Sequence, residues 1–320
     1  MREVTISASD SGQRLNKYLM KYMKLAPSSF IYKMLRKKNI LLNGKKASGN
    51  EILEENDTVK LFLSDETIEN FSVHNANSSV TKSTKCPSLK ILYKDADIMA
   101  VHKPSGVLSQ KAKDSDYSLN EMIIDYCLHN NIIDNNNLKT FTPSVCNRLD
   151  RNTSGIVLAG ISLHGSQYLS ATMKDRTAEK YYYTIINGEM KHEIHDIAYI
   201  ERDEKSLKST VVSEGNKIEG KKYQKIETAF YPLATNGNIT FLKAKLITGK
   251  THQLRAHLKY LGYPIIGDAK YNKSTNNSYF REKYGLNSHL LHAGYVKLDD
   301  IIIEDELPKI FFDIKKGEKI

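Results

Sequence analysis

Three stretches hold side chains whose types and spacing could do chemistry. The first is Asn147-Arg148-Leu149-Asp150-Arg151-Asn152-Thr153-Ser154-Gly155, a carboxylate set between two arginines. Thr153, Ser154 and Gly155 read as a tight turn into the apolar residues 156–159, a strand. Such a turn presents Asp150 at the rim of a sheet, with cations close enough to favour its ionised form. Charge and turn chemistry alone also fit a surface loop with one salt bridge. The second is Lys180-Tyr181-Tyr182-Tyr183, heading a strand that runs to Asn187-Gly188. Alternation puts Tyr181 and Tyr183 on one face and Tyr182 on the other; core packing is the ordinary use of such rings. The third runs from Leu246 through Thr248-Gly249-Lys250-Thr251-His252-Gln253-Leu254-Arg255 to Leu258. A strand ends at the Thr-Gly turn, and a helix begins near Thr251 and stops at Gly262. Leu254, Leu258 and Leu261 give it a buried stripe, and His252, Arg255 and Lys259 share another face, the pattern of an ordinary amphipathic helix.

The elements around these stretches can be read in order. Residues 13–24 carry Leu15, Leu19, Tyr22 and Met23 at helical spacing. Pro27-Ser28-Ser29 offers a second helix start with serine as N-cap, and Ile31, Met34 and Leu35 face inward. Asn43-Gly44 between short strands signals a hairpin, and Val59, Leu61 and Leu63 alternate as a closing strand. Residues 64–88, rich in Ser, Thr and Asn, read as a linker. Two strands follow, 89–93 and 98–102, leading to the turn Lys103-Pro104-Ser105-Gly106, in which the residues themselves suggest no chemistry. Leu119, Ile123, Tyr126 and Cys127 suggest a helix, residues 130–137 a polar loop, and residues 162–174 another helix. Residues 201–225 read as a polar loop or an RNA-facing ribbon, and 228–232 and 239–247 as strands paired about Asn236-Gly237.

Composition narrows the classes. The chain has 320 residues, 47 Lys+Arg against 37 Asp+Glu, and a formal charge of +10. That balance suggests an anionic partner, nucleic acid first. Residues 13–46 hold ten Lys/Arg and no Asp or Glu, as much positive charge as the whole chain's net. A solvated face normally mixes signs, so this segment reads as a phosphate-binding surface. Cys86, Cys127 and Cys146 stand far apart, with no C-x-x-C, so neither a zinc ribbon nor a disulfide framework is indicated. Walker A, G-x-G-x-x-G and H-E-x-x-H patterns are absent, as are a signal peptide and an apolar run of membrane-spanning length. A cytoplasmic protein without a membrane partner is expected.

The stretch about Asp150 resembles the H-R-L-D-x-x-T-S-G signature of the RluA family of pseudouridine synthases, departing only at Asn147, where histidine is usual. Lys103 to Gly106 resembles the family's K-P-x-G motif, and Lys180 with Tyr182 matches K-x-Y. The third stretch resembles L-x-T-G-R-x-H-Q-I-R-x-H-L, followed by G-x-P-I-x-G-D as Gly262 to Asp268. Lys250 replaces an arginine, keeping the charge and losing the bidentate fork. Residues 12–63, with R-L-N-K-Y-L and I-L-L-N-G-K, resemble the S4 RNA-binding domain.

The resemblance implies an α+β protein. A small S4-like unit (two helices plus a β-hairpin) would span residues 1–75, a linker 76–88, and a catalytic domain 89–320 with a long, mostly antiparallel sheet, flanking helices and a cleft across its middle. It implies an isomerisation: uracil is cut from C1′ at N1, turned, and rejoined through C5, with neither cofactor nor metal. Asp150 would be the essential carboxylate, attacking C1′, attacking C6 or assisting removal of the 2′ proton. Arg255 would pair with it and Tyr182 would stack on the base. Arg148 would enter the RNA stack as the base leaves, and Lys180, Lys250, His252 and Leu254 would line the substrate. Arg14, Lys17, Lys33, Arg36, Lys37, Lys38, Lys45 and Lys46 would meet phosphates. The expected substrate is large-subunit ribosomal RNA and the expected state a monomer; transfer-RNA modification and RNA binding without turnover are the alternatives.

Overall fold

The structure, a computed structural model, describes residues 1–7, 10–71, 88–133, 137–203, 208–274 and 276–320. Its elements form two sheets, one of four strands and one of eleven.

The smaller sheet holds β1 (Arg2–Thr5), β2 (Ile40–Leu42), β3 (Lys45–Lys46) and β4 (Thr58–Leu61) in the order β1-β4-β2-β3. The β2–β3 hairpin turns at Asn43 and Gly44, both at positive φ, as a tight two-residue turn requires. Helices α1 (Leu15–Tyr22) and α2 (Ser28–Arg36) lay Leu15, Leu19, Ile31 and Leu35 on this sheet in a core of their own. The N-cap of α2 is Pro27, not a serine: with φ at −57° it is already set for a helix start, and Ser28 is the first helical residue. The polar stretch from residue 64 does not begin as linker. Residues Asp65–Phe71 form α3, with acids in its first turn, Ile68 fully buried and Phe71 packed on Phe30 at 4.7 Å between ring centroids. Of the 76–88 linker, only Ser88 falls among the described residues.

The larger sheet runs β11-β10-β12-β13-β9-β14-β8-β6-β5. In chain order its elements are β5 (Ile91–Lys94), β6 (Ile98–Lys103), α4 (Leu119–His129), α5 (Asn137–Thr140), β7 (Ser144–Val145), β8 (Ser154–Gly160), α6 (Leu163–Asp175), β9 (Glu179–Asn187), β10 (Ile194–Asp203), β11 (Lys208–Val212), β12 (Gln224–Thr235), β13 (Ile239–Leu246), α7 (Gln253–Tyr260), α8 (Asn276–Tyr284), β14 (Leu291–Leu298), β15 (Ile301–Glu304) and α9 (Lys309–Glu318). Strands β7 and β15 pair with β8 and β14 off the main path. Pairing is antiparallel except between β14 and β8, which run parallel at the sheet's middle. Of residues 201–225, those to Asp203 close β10 and β11 returns against it as a two-stranded ribbon, while 217–223 are loop.

The parallel junction places the signature stretch. Gly155 has φ +118°, and a Cβ there would meet the Ala293 carbonyl at 2.2 Å, so only glycine lets β8 come this close to β14. The residues just before Gly155 are thereby carried to the rim of the sheet. The third stretch turns into α7 behind that rim. Almost all of this helix is buried, Gln253 through Leu258, because the sheet covers one side and β11 and the 263–272 loop cover the other. The amphipathic expectation fails here: Arg255 is 7 % exposed, and only Lys259 of the expected polar face is open.

Candidate active site

The loop carrying Asp150 is fastened at both ends. Asn147 Nδ2 donates to the Ile156 carbonyl at 3.2 Å, and its Oδ1 accepts from the Leu158 N–H at 2.7 Å, so the departing first residue of the signature ties the loop to β8. Leu149 exchanges bonds with Ser109 Oγ through both its N–H and its carbonyl, each at 3.0 Å. Thr153 Oγ1 lies 2.8 Å from His289 Nε2, and Ser154 Oγ 2.9 Å from His292 Nδ1. Burial pushes both imidazoles down to about 4, so they are neutral at physiological pH.

Lys103 opens the K-P-x-G match, in which the sequence suggested no chemistry, and the structure shows what it holds. Its Nζ is fully buried under the loop and donates to the carbonyls of Pro104, Val107 and Arg151 at 3.0, 2.7 and 2.9 Å. One ammonium thus clamps the K-P-x-G turn to the Asp150 loop. Burial pushes its pKa down to about 8, against the nearby negative charge of Asp150, which favours the ammonium.

Asp150 itself is partly open. Arg255 Nη1 donates to its Oδ2 at 2.7 Å, and His252 Nε2 lies 3.7 Å from the same oxygen. Arg255 is held from behind: Nε and Nη2 donate to Asp268 Oδ2 and Oδ1 at 2.7 and 3.0 Å, a bidentate pair. Burial opposes the guanidinium charge, but Asp268 and Asp150 more than offset it and raise its pKa. Burial would likewise push the Asp268 carboxyl up, yet its bonds from Arg255 hold it below the usual carboxylate range. Asp268 is positioned by its own turn, accepting from the Lys270 and Tyr271 N–H groups. One oxygen of Asp150 therefore faces a fixed cation, and the side chain is partly open in the cleft.

Tyr271 supports two of these groups. The Arg255 guanidinium lies 5.1 Å from its ring centroid. Its hydroxyl accepts from the Ser209 N–H at 2.8 Å and lies 2.9 Å from His252 Nδ1. With the Ser209 N–H on one side, the phenol can donate to Nδ1, and His252 Nε2 faces Asp150 at 3.7 Å. Burial lowers the His252 pKa, with Asp150 opposing, which favours the neutral ring.

Asp150, His252, Arg255 and His289 line one cleft of about 900 Å³. Tyr182 lines it from β9, 7 % exposed, and burial together with the Asp150 charge pushes its phenol up, so it stays a neutral O–H. Leu254 gives the cleft an apolar wall, Lys180 and Lys250 line it, and Arg148 stands exposed at its mouth. The structure thus brings together Asp150, Arg255, His252, Tyr182, Leu254, Lys180, Lys250 and Arg148. The other eight expected RNA-binding residues (Arg14, Lys17, Lys33, Arg36, Lys37, Lys38, Lys45 and Lys46) are all exposed on the small unit.

A family model described as RNA pseudouridylate synthase matches residues 97–260, half the chain, with Asp150, Tyr182 and Arg255 inside the match. The chain belongs to the RNA pseudouridylate synthase family. It is an enzyme of the RluA branch, an isomerase that turns uridine into pseudouridine. "Ribosomal large subunit pseudouridine synthase C" of Vibrio vulnificus is 27% identical over 303 residues, covering 92% of this chain and 87% of that protein. "Ribosomal large subunit pseudouridine synthase D" of Borreliella burgdorferi is 27% identical over 275 residues, 85% of this chain and 79% of that one. Human RNA Pseudouridylate Synthase Domain Containing 4 shares the fold at a TM-score of 0.59 and 19% identity, over 72% of this chain and 93% of its own. Asp268, Tyr271, Lys103 and His289 are site residues that sequence reading missed. Of these, Lys103 and Asp268 stood inside matched motifs, but nothing in the sequence showed their partners.

Proposed function

We propose that this enzyme modifies large-subunit ribosomal RNA, with Asp150 as its catalytic carboxylate. The two named relatives, similar over most of their length, support the substrate class. The observation that carries the residue assignment is the Asp268–Arg255–Asp150 chain: a buried guanidinium, fixed by one carboxylate, holds another at the floor of a cleft. With Oδ2 engaged, Oδ1 is the atom offered to the sugar or base of a flipped uridine. Tyr182 stacks on the base, the neutral His252 presents Nε2–H beside Asp150, and Arg148 at the mouth fills the space the base leaves. Lys250 meets the RNA backbone as a point charge. Residues 1–75, with their exposed cations, act as an S4-like RNA anchor, joined through 76–88 to a catalytic domain over 89–320. The protein works as a cytoplasmic monomer.

Two experiments test this. Pseudouridines are mapped in total RNA from cells with and without the gene. Loss of sites from large-subunit ribosomal RNA is expected; loss from transfer RNA, or from nothing, replaces the substrate assignment. Asp150→Asn keeps size and removes charge: product formation should vanish while RNA affinity survives. Turnover near the wild-type rate in that variant would remove Asp150 from the chemistry.

A further inference from the structure

The buried cations in the cleft and beneath its loop are matched, with one exception. Arg255 has two carboxylates and Lys103 three carbonyls. Lys180 is 9 % exposed, yet among the described residues its Nζ has only the Met173 thioether, at 4.0 Å, a weak acceptor. Burial lowers its pKa, and the charge that acts on it most is a second cation, Arg176, which lowers it further. A buried ammonium without an anion is unfavourable on its own and becomes favourable when a ligand brings the anion. Lys180 lies on the cleft side of β9, two residues from Tyr182, about 6.6 Å along a strand. Arg176 is exposed at the left-handed C-cap of α6, φ 60°, where glycine would be the least strained choice, and lines the same flank with Met173 and Lys174.

We propose that Lys180 and Arg176 form an anion subsite on the α6 flank of the cleft, which takes one backbone phosphodiester next to the target uridine. This rests on the reading of the cleft as an RNA site. The phosphate supplies the missing partner of Lys180, and Arg176 closes on it from the solvent side. Tyr182 and Lys180, on one face of one strand, then hold the base and the adjoining phosphate of a single nucleotide step. The subsite fixes how far the nucleotide enters and reads no base edge.

The test is a phosphate walk. Short RNA substrates carry a single uncharged methylphosphonate at successive linkages around the target uridine, and Kd is measured for wild type, Lys180→Met and Arg176→Ala. At one linkage, neutralisation should weaken wild-type binding by about tenfold or more, as expected for a charge-assisted bond, and weaken Lys180→Met by much less. The log–log salt slope of Lys180→Met should be smaller by about 0.7, the value for one single-strand phosphate. Methionine has similar length and packs without a charge; if that variant does not fold, Arg176→Ala, at an exposed position, carries the same cycle. Equal losses in wild type and both variants at every linkage overturn the subsite. Absence of product from the unmodified substrate with wild-type enzyme overturns the RNA reading of the cleft instead, and the binding cycle still decides the subsite.

Discussion

Two groups of cations serve this molecule in opposite ways. On the small unit, Arg14, Lys17, Lys33, Arg36, Lys37, Lys38, Lys45 and Lys46 stand in water, and none forms an ion pair among the described residues. Around the cleft, Arg255 and Lys103 are buried and every donor used has a fixed acceptor. Exposed charges act at long range, add independently and weaken with salt. Buried charges act on one neighbour, are coupled, and cannot lose a partner cheaply. The difference separates the residues proposed to recruit RNA from those proposed to shape the reaction, and it can be broken from either side.

The largest break is Arg255→Met. It leaves Asp268, whose side chain is fully buried, without its cation and releases Asp150. Removing one member of a buried pair costs about 3–5 kcal/mol. Urea unfolding should show that loss, and single-turnover rates should fall far more than RNA affinity. Stability and rate both near wild type would show that the guanidinium is dispensable. Replacing Asp268 and Arg255 together should cost less than the sum of the single changes, because each single change strands the other's charge.

Tyr182→Ala tests the next step. If the ring stacks on the target base, binding weakens by about 1–3 kcal/mol. Tyr182→Phe keeps the ring and should keep the affinity, since the phenol is buried, neutral and pushed upward. Equal affinity for wild type, Ala and Phe would reduce Tyr182 to core packing.

What the sequence made legible follows the same divide. The exposed cations were visible as ten positive residues without a negative one, because solvated charge needs no partner to be recognised. The Asp150–Arg255 pair came from the resemblance, and the structure brings the two together. Local periodicity placed Arg255 on an open polar face; it shows which residues share a face but not what covers that face. Covering it are Asp268, Tyr271 and β11, contributed from elsewhere in the chain. Lys103 was passed over for a similar reason: its decisive acceptor, the Arg151 carbonyl, lies 48 residues away. Residues 65–71 looked like linker because two apolar anchors, Ile68 and Phe71, give too short a pattern to betray a helix.

Acid should probe the buried histidines behind the loop. His289 and His292 ordinarily titrate near 6.5, and burial takes both to about 4. Between those values the unfolded chain holds protons that the folded protein does not, so stability rises with pH across this window and falls as acid is added. Each histidine contributes a slope of up to about 1.4 kcal/mol per pH unit. Unfolding free energies measured from pH 4 to 7 should show a smaller slope in His292→Gln than in wild type. Identical slopes would mean that burial does not hold His292 neutral beside Ser154.

The smallest effects belong to the open face, and their additivity is the point. Neutralising Lys33, Arg36, Lys37 and Lys38 one at a time removes exposed charges that form no ion pair among the described residues, so folding stability should change by less than about 0.5 kcal/mol each. RNA affinity should drop by a modest factor per residue. The log–log salt slope should shrink by about 0.7 to 0.9 for each phosphate left without its cation. The fourfold variant should show the sum of the four single effects, because solvated charges on separate side chains are weakly coupled. Single-turnover rates at saturating enzyme should stay at the wild-type value, since Asp150, Arg255 and Tyr182 line the cleft of the larger sheet. The measurement is Kd across a range of KCl for the four single variants and the fourfold one, with rates on the same RNA. An unchanged salt slope in the fourfold variant means that this face does not touch RNA. A reduced rate at saturation means that the small unit does more than anchor, and that the division between recruiting and reacting cations is wrong.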